Sequence, residues 1–500
     1  MRITERPAVW GVVATVAGLA SSELVAGIVG SAVTPVLAVG ESIIALTPGS
    51  VAERAIAAVG QLDKPLLVVG VVVATLAIGG ILGSLAPRRP QLAYAGFAAM
   101  ALLGVVAVLT RSDSRPAEAL PALVGGLVAT TVLWWLGRPG QEDAGDEAVT
   151  TDRRTLLRNV ALVLAGSALT AGVGRWVGRA RSVVDDARAR LVLPVRAATV
   201  PTGADLGIAG AQPWLTPTSE FYRIDTALRP PLIDPKDWSL RIHGMVEREL
   251  TLSYDDLVGR GLEDAWVTLC CVSNEVGGDL IGNTEWSGVP IEKILTEAGI
   301  KPGADALLST SEDGWTCGTP LSALTDGRSS LLAVAMNGRP LTVEHGFPVR
   351  QVVPGLYGYV SATKWVVDWE VTAFDRIEAY WTQRGWGEKG PVKTQSRIDT
   401  PRSDVDPGTV KVAGVAWAQH RGIDKVEVRV DEGPWRRATL ATVPGIDTWV
   451  QWVWDWDAER GDHTLEVRAT DKTGAPQTAK VADVLPDGAT GYHAVGVTVR

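Results

Sequence analysis

The chain has 500 residues, 46% of them hydrophobic, and a formal net charge of −9 at pH 7. That length allows roughly two to four units at about 100–200 residues each, and the acidic balance excludes a nucleic-acid partner, which needs clustered Lys and Arg. Its cysteines, Cys270, Cys271 and Cys317, are odd in number, include an adjacent pair and form no CxxC, which excludes a disulfide framework, a zinc ribbon and a c-type haem site.

Residues 8–30, 65–86, 91–110 and 117–136 are apolar runs. Each is close to the roughly 20 residues a spanning helix needs. A fifth and weaker run, 159–177, is rich in Ala and Gly. The segment 31–48 is apolar but broken by Pro35 and Pro48, and reads as interfacial or re-entrant. A multi-pass α-helical membrane region of about five helices is therefore expected over 1–178. Arg2, Arg6, Arg88, Arg89, Arg138, Arg153, Arg154 and Arg158 fall in alternate loops, which places the N-terminus inside and everything after about residue 178 outside. The run from Thr151 to Arg158, with Arg153-Arg154, resembles a twin-arginine export signal, a route for folded proteins that carry cofactors. An ordinary basic anchor would read the same way.

All five histidines follow residue 242, so this region cannot hold a bis-His haem. Glu23 is its one mid-span charge, either a functional carboxyl or a protonated group bonded to a neighbouring helix. The region reads as an anchor or docking surface. Residues 179–212 form a linker, starting as a short helix over 179–193 and finishing extended.

The segment 213–375 mixes short alternating strands with helical spacing, an α+β pattern. Strands are expected over 238–244, 266–269, 304–309 and 331–336, and helices from 251 to 257 and from 288 to 299. Two cysteines close the 266–269 strand. A thiol at a strand end before a polar turn can face a pocket, and a soft thiolate holds a soft metal. Successive strand side chains point to opposite faces, so one of Cys270 and Cys271 ligates, if either does, and the other packs. Arg350 and Lys364 stand among Gly346, Gly355 and Gly358, where backbone can approach a ligand and two cations can meet a phosphate.

Taken in order, Phe221-Tyr-Arg223, Cys271-x-Ser-Asn274, Glu285-Trp-Ser-Gly-Val-Pro290, Met336-Asn-Gly-Arg-Pro-Leu341, His345-Gly-Phe-Pro-Val-Arg350 and Val353-Pro-Gly355 leading to Lys364-Trp365 resemble the sulfite oxidase family of molybdopterin enzymes. The match covers about 215–500. The resemblance implies the family's α+β molybdopterin domain over 213–375 and a molybdenum–molybdopterin cofactor. It implies Cys271 as metal ligand and catalytic residue, with Cys270 structural. Phe221, Tyr222, Arg223, Asp225, Asn274, His345, Arg350 and Lys364 would hold the pterin and its phosphate. Arg223 and Trp315 would line the substrate side.

Four positions depart from the sulfite-oxidising pattern, and Asp225 stands where the family often has a histidine near the pterin. Glu275 and Val276 stand where arginine follows the metal loop, Val360 stands near a further expected arginine, and Trp315 replaces a pocket tyrosine. Sulfite is therefore a doubtful substrate, and a neutral S- or N-oxide fits at least as well. Cys317 reads as a small buried hydrophobe.

After a connecting segment, 376–404, residues 405–500 carry alternating strands near 409–417, 424–430, 448–454 and 463–469 separated by turns, a β-sandwich pattern. The resemblance makes this the family's immunoglobulin-like dimerisation domain, with a homodimer as its consequence. His420 and His463 read as structural.

The leading expectation is a membrane-anchored oxidoreductase acting on a small molecule outside the cytoplasm. Its partners would be the lipid bilayer and a separate electron protein or quinone, because no haem or Fe–S ligands are evident. The rival is a catalytically degenerate, membrane-tethered binding protein of the same fold.

Overall fold

The computed structural model describes residues 7–29, 33–48, 62–111, 116–137 and 180–500, together with 31, 51 and 59. The chain forms two compact units, one of residues 1–186 with 226–232 and one of 187–225 with 233–500.

In the first unit, α1 (Pro7–Val29), α3 (Asp63–Leu85), α4 (Pro90–Leu109) and α5 (Leu120–Leu136, preceded by a short turn from Pro116) are each long and apolar enough to cross a membrane. Small residues bring these helices together. A Cβ on Gly11 would lie 1.9 Å from the Gly79 carbonyl oxygen, and one on Gly18 would lie 2.6 Å from that of Gly125. Thus α1 packs backbone to backbone on α3 and α5, the close approach that membrane helices use where water supplies no driving force. The segment expected to be interfacial or re-entrant contains a regular helix, α2 (Pro35–Leu46). Pro35 falls in its first turn, where a missing N–H leaves no helical bond unmade. Its Glu41 pairs with Arg111 at 3.3 Å. The fifth apolar run and Arg153-Arg154 lie outside the described residues.

The helix α6 (Ala180–Arg190) begins in the first unit and ends in the second, which continues as an extended segment. Its first part is α+β. One mixed sheet has the order β2-β1-β10-β5-β6, from β1 (Ser239–Gly244), β2 (Leu250–Ser253), β5 (Ala306–Ser311), β6 (Thr316–Pro320) and β10 (Val366–Thr372). Only the β1–β10 pair is parallel. A second sheet has the order β3-β4-β7-β8, from β3 (Glu263–Cys270), β4 (Ile281–Pro290), β7 (Leu331–Met336) and β8 (Arg339–Pro340), with β9 (Arg350–Val352) on β7. Both sheets contribute to one core, which includes Leu240, Ile242, Val289, Leu332 and Trp369.

Two expectations are corrected here. The helix expected from 251 is strand β2 followed by α7 (Tyr254–Val258), because Ser253 and Asp256 form a capping box that starts the helix only there. The helix expected from 288 begins at Ile291 as α8 (Ile291–Ala298), because Gly288, Val289 and Pro290 still pair with β7.

The C-terminal part is a two-sheet sandwich. One sheet runs β11-β12-β16-β15, from β11 (Gln395–Thr400), β12 (Gly408–Trp417), β15 (Thr439–Leu440) and β16 (Val450–Ala458). The other runs β14-β13-β17-β18, from β13 (Ile423–Val430), β14 (Arg436–Arg437), β17 (Gly461–Asp471) and β18 (His493–Val499). All pairings are antiparallel. Alternate residues such as Val412, Val426, Trp452 and Val467 meet in a shared core. His420 and His463 are paired with Asp447 and Asp431.

Candidate active site

The site is built where four loops of the α+β part converge. β3 ends at Cys270, which lies in the core cluster. Cys271 follows in the turn and is buried without joining that cluster. Its N–H donates to the Leu280 carbonyl at 2.9 Å, and the Asn274 Oδ1 accepts from the Leu280 N–H at 2.8 Å. The loop is therefore closed at its base. That bond fixes the Asn274 amide so that its Nδ2 is a buried donor with no oxygen or nitrogen partner, near the Cys270 thiol.

The second loop carries His345 and Arg350. A short turn from Val343 to His345 is capped by Thr342 and ends at Gly346, whose φ is +104°. A Cβ on Gly346 would sit 2.9 Å from the Arg350 Cβ and 3.2 Å from the Lys364 Cβ, so glycine lets the two basic side chains close in. His345 Nε2 faces the Thr218 carbonyl at 3.1 Å. A carbonyl only accepts, so the proton is on Nε2 and the buried, unpartnered Nδ1 is a free lone pair. Burial, with Lys364 and Arg350 nearby, holds the pKa of His345 down to about 4.

Arg350 is 3% exposed. Its guanidinium lies 4.8 Å from the centre of the Trp286 ring and makes only long bonds, of 3.3 to 3.4 Å, to the carbonyls of His345, Gln351 and Ala362. Among the described residues no carboxylate pairs with it, and burial pushes its pKa down to about 10. Lys364, on the third loop, donates to Asp225 Oδ2 at 3.1 Å and to the Glu344 carbonyl at 3.1 Å. Burial pushes it down to about 8, with Asp225 opposing.

The fourth stretch is Phe221–Asp225. Phe221 stacks on Tyr222, meets Trp286 and His345 edge to face, and covers Gly282, where a Cβ would be 2.7 Å from its ring. Burial raises the Tyr222 hydroxyl, the charges of Cys271 and Cys270 add to the rise, and Arg350 opposes it. Arg223 is partly exposed and binds Asp225 at 2.9 Å. Desolvation raises the thiols of Cys271 and Cys270. In Cys271, bonds from Ser273 and the charge of Lys364 oppose that rise.

Of the expected residues, Phe221, Tyr222, Asp225, Asn274, His345, Arg350, Lys364 and Cys271 thus come together, with Arg223 at their edge. Trp315 is half-buried in the turn between β5 and β6, where its N–H donates to Asp313 at 3.2 Å. Glu275 is exposed, Val276 packs on the core, and Val360 is buried in it. Cys317 is fully buried beside Thr319.

Sequence reasoning missed Trp286 as the face under Arg350, the Thr218 carbonyl, and Asp313. Burial raises the Asp313 carboxyl, and Asp225 and Lys364 act on its charge. No local signal marks any of the three. An open cleft between the start of β3 and α8, lined by Glu263, Asp264, Lys293 and Arg328, lies at the other end of β3 from Cys271. Asn274 Nδ2 and His345 Nδ1, two of the unpartnered buried polar atoms, belong to the site at the Cys271 end.

A buried cation bonded only to carbonyls and to no carboxylate, a buried amide donor and a buried, unpartnered lone pair fit a ligand that carries an anion and both kinds of hydrogen-bonding atom. A pterin with a phosphate has that donor set. Residues 227–381 match the oxidoreductase molybdopterin binding domain. The protein is a molybdenum cofactor-dependent oxidoreductase.

The chain is 34% identical over 173 residues to the uncharacterized oxidoreductase YuiH of Bacillus subtilis, a match spanning 35% of this chain and 84% of that protein. It is 28% identical over 279 residues to the mitochondrial sulfite oxidase of Drosophila melanogaster and 28% over 298 residues to that of Homo sapiens. These matches span 48% and 52% of those proteins, about half their length. The crystal structure of the sulfane dehydrogenase SoxCD from Paracoccus pantotrophus shares the fold, with a TM-score of 0.51 at 22% identity over 61% of this chain and 90% of that one. The chain belongs to the sulfite oxidase family of molybdopterin-dependent oxidoreductases.

Proposed function

We propose that the chain is a membrane-anchored enzyme that transfers an oxygen atom, with two electrons, to or from a small neutral sulfur or nitrogen compound outside the cytoplasm. The cofactor supplies that two-electron oxygen-atom chemistry when bound. Cys271 is its protein ligand, and Cys270 packs behind. Arg350 and Lys364 take the phosphate, while Asn274 Nδ2 and His345 Nδ1 offer the pterin one donor and one acceptor. Phe221 and Tyr222 wall the cavity and exclude water.

The pairing of Arg223 with Asp225 at 2.9 Å is the observation that carries the neutral substrate. The one arginine that resemblance assigns to an anionic substrate is held by a carboxylate, which it shares with Lys364. Val360 is buried in the core, and Glu275 is a carboxylate that would repel a dianion. Trp315 then lines an uncharged substrate pocket. Four apolar helices support the anchor, and alternate basic loops support the external active domain. The 405–500 sandwich serves as the immunoglobulin-like dimerisation domain, and electrons pass to or from a separate protein or a quinone.

Elemental analysis of the full chain from a host that makes the cofactor tests the reading. About one molybdenum per chain is expected, followed by turnover of sulfoxides or N-oxides well above sulfite. Absence of molybdenum from a well-folded preparation would favour a catalytically degenerate binding protein.

A further inference from the structure

The loop bearing Cys271 and Asn274 is closed at its base by its own residues, but its apex is held from the C-terminal sandwich. Arg397, on β11, donates from Nη1 to the Gly278 carbonyl at 2.7 Å and from Nε to Asp399 Oδ1 at 2.6 Å. Both side chains are 5% exposed. Asp399 is anchored in turn, since its Oδ2 accepts from the Gln212 N–H at 3.2 Å.

Beside this pair, the His493 ring lies against Gly277 so closely that a Cβ there would be 2.2 Å from it. Gly277 has a φ of +80°, which glycine alone adopts freely. His493 Nδ1 accepts from the Ile398 N–H at 2.9 Å, so its proton sits on Nε2 and the ring is neutral. A buried ion pair is a poor source of stability, but it fixes geometry well. Here it spends a charge-assisted bond on one main-chain carbonyl of another domain.

We propose that Arg397, held by Asp399, is a positioning residue for the Cys271 site. The sandwich sets the height of the thiol-bearing loop, and with it the Cys271 Sγ and the Asn274 amide. This rests on the reading of Cys271 as the metal ligand.

The test uses the full-length protein in detergent, comparing wild type with Arg397→Gln, Arg397→Lys and Asp399→Asn. Hydrogen exchange in the 271–280 peptide should quicken about tenfold or more in Arg397→Gln, while β7 stays unchanged. The Mo(V) electron paramagnetic resonance signal should shift with molybdenum content retained, and Arg397→Lys should move it back toward wild type. Unchanged loop exchange together with an unchanged signal would overturn the proposal, as would equal quickening in β7, which reports general loosening. If Arg397→Gln does not fold, Asp399→Asn releases the guanidinium and carries the same comparison. Exchange is read without molybdenum, so failure of the cofactor reading and failure of this one are separately visible.

Discussion

Lys364 and Asp225 form a buried ion pair, with Nζ 3.1 Å from Oδ2 and side chains 10% and 5% exposed. Lys364 titrates near 8 in the fold against an ordinary 10.5. The unfolded chain therefore binds more protons between those values, and stability of the cofactor-free protein rises with pH across that window. Asp225→Asn removes the partner and extends the window downward. It should cost about 2–4 kcal/mol at pH 7, a deficit that narrows by pH 10. Thermal unfolding at the two pH values measures it.

His345 gives the acid counterpart. Its folded pKa is about 4 against 6.5 ordinarily, so its neutral form contributes stability that is lost as pH falls from about 6.5 to 4. The loss should approach about 3 kcal/mol, at 1.36 kcal/mol per unit. His345→Gln should flatten that part of the acid stability curve, and an unflattened curve would place the titration elsewhere.

Arg350→Met separates cofactor binding from folding. Without ligand the buried guanidinium is uncompensated, so an apolar chain of similar length should leave the cofactor-free melting temperature unchanged or raised. Molybdenum content should fall about tenfold or more, as one charge-assisted phosphate contact is lost. Equal losses in both measurements would argue for a structural arginine.

The adjacent cysteines should divide in role. Cys271→Ala should abolish turnover with the fold intact and only partial loss of molybdenum, since the pterin contacts remain. Cys270→Ala opens a small gap in the core and should cost about 1–2 kcal/mol while leaving activity. The opposite pattern of activities would reverse the ligand assignment.

Gly282→Ala should act on the cavity wall. Its Cβ would meet the Phe221 ring at 2.7 Å, displacing Phe221 and the Tyr222 stacked on it. Destabilisation of about 1–3 kcal/mol is expected, with weaker cofactor retention. Phe221→Leu in the same chain should relieve the strain without restoring retention.

Much of this architecture was legible along the chain because its signals are local. Apolar length marked the four described helices long enough to cross a membrane, since a bilayer demands about 20 residues of any helix that crosses it. Period-two alternation marked the sandwich strands, the Cys270–Cys271 pair stood out by its thiols and Arg350 and Lys364 by charge among glycines, while the choice of Cys271 and the role of His345 came from the family resemblance. What the chain did not disclose is which groups neutralise one another. Arg223 and Lys364 share Asp225, Arg350 lies over Trp286, and Arg397 reaches Gly278. The last bond links residues 119 positions apart. Residue type and spacing set what each side chain can offer. Only packing, which removes water from some charges and brings others within bonding distance, decides which of them is left to hold a ligand.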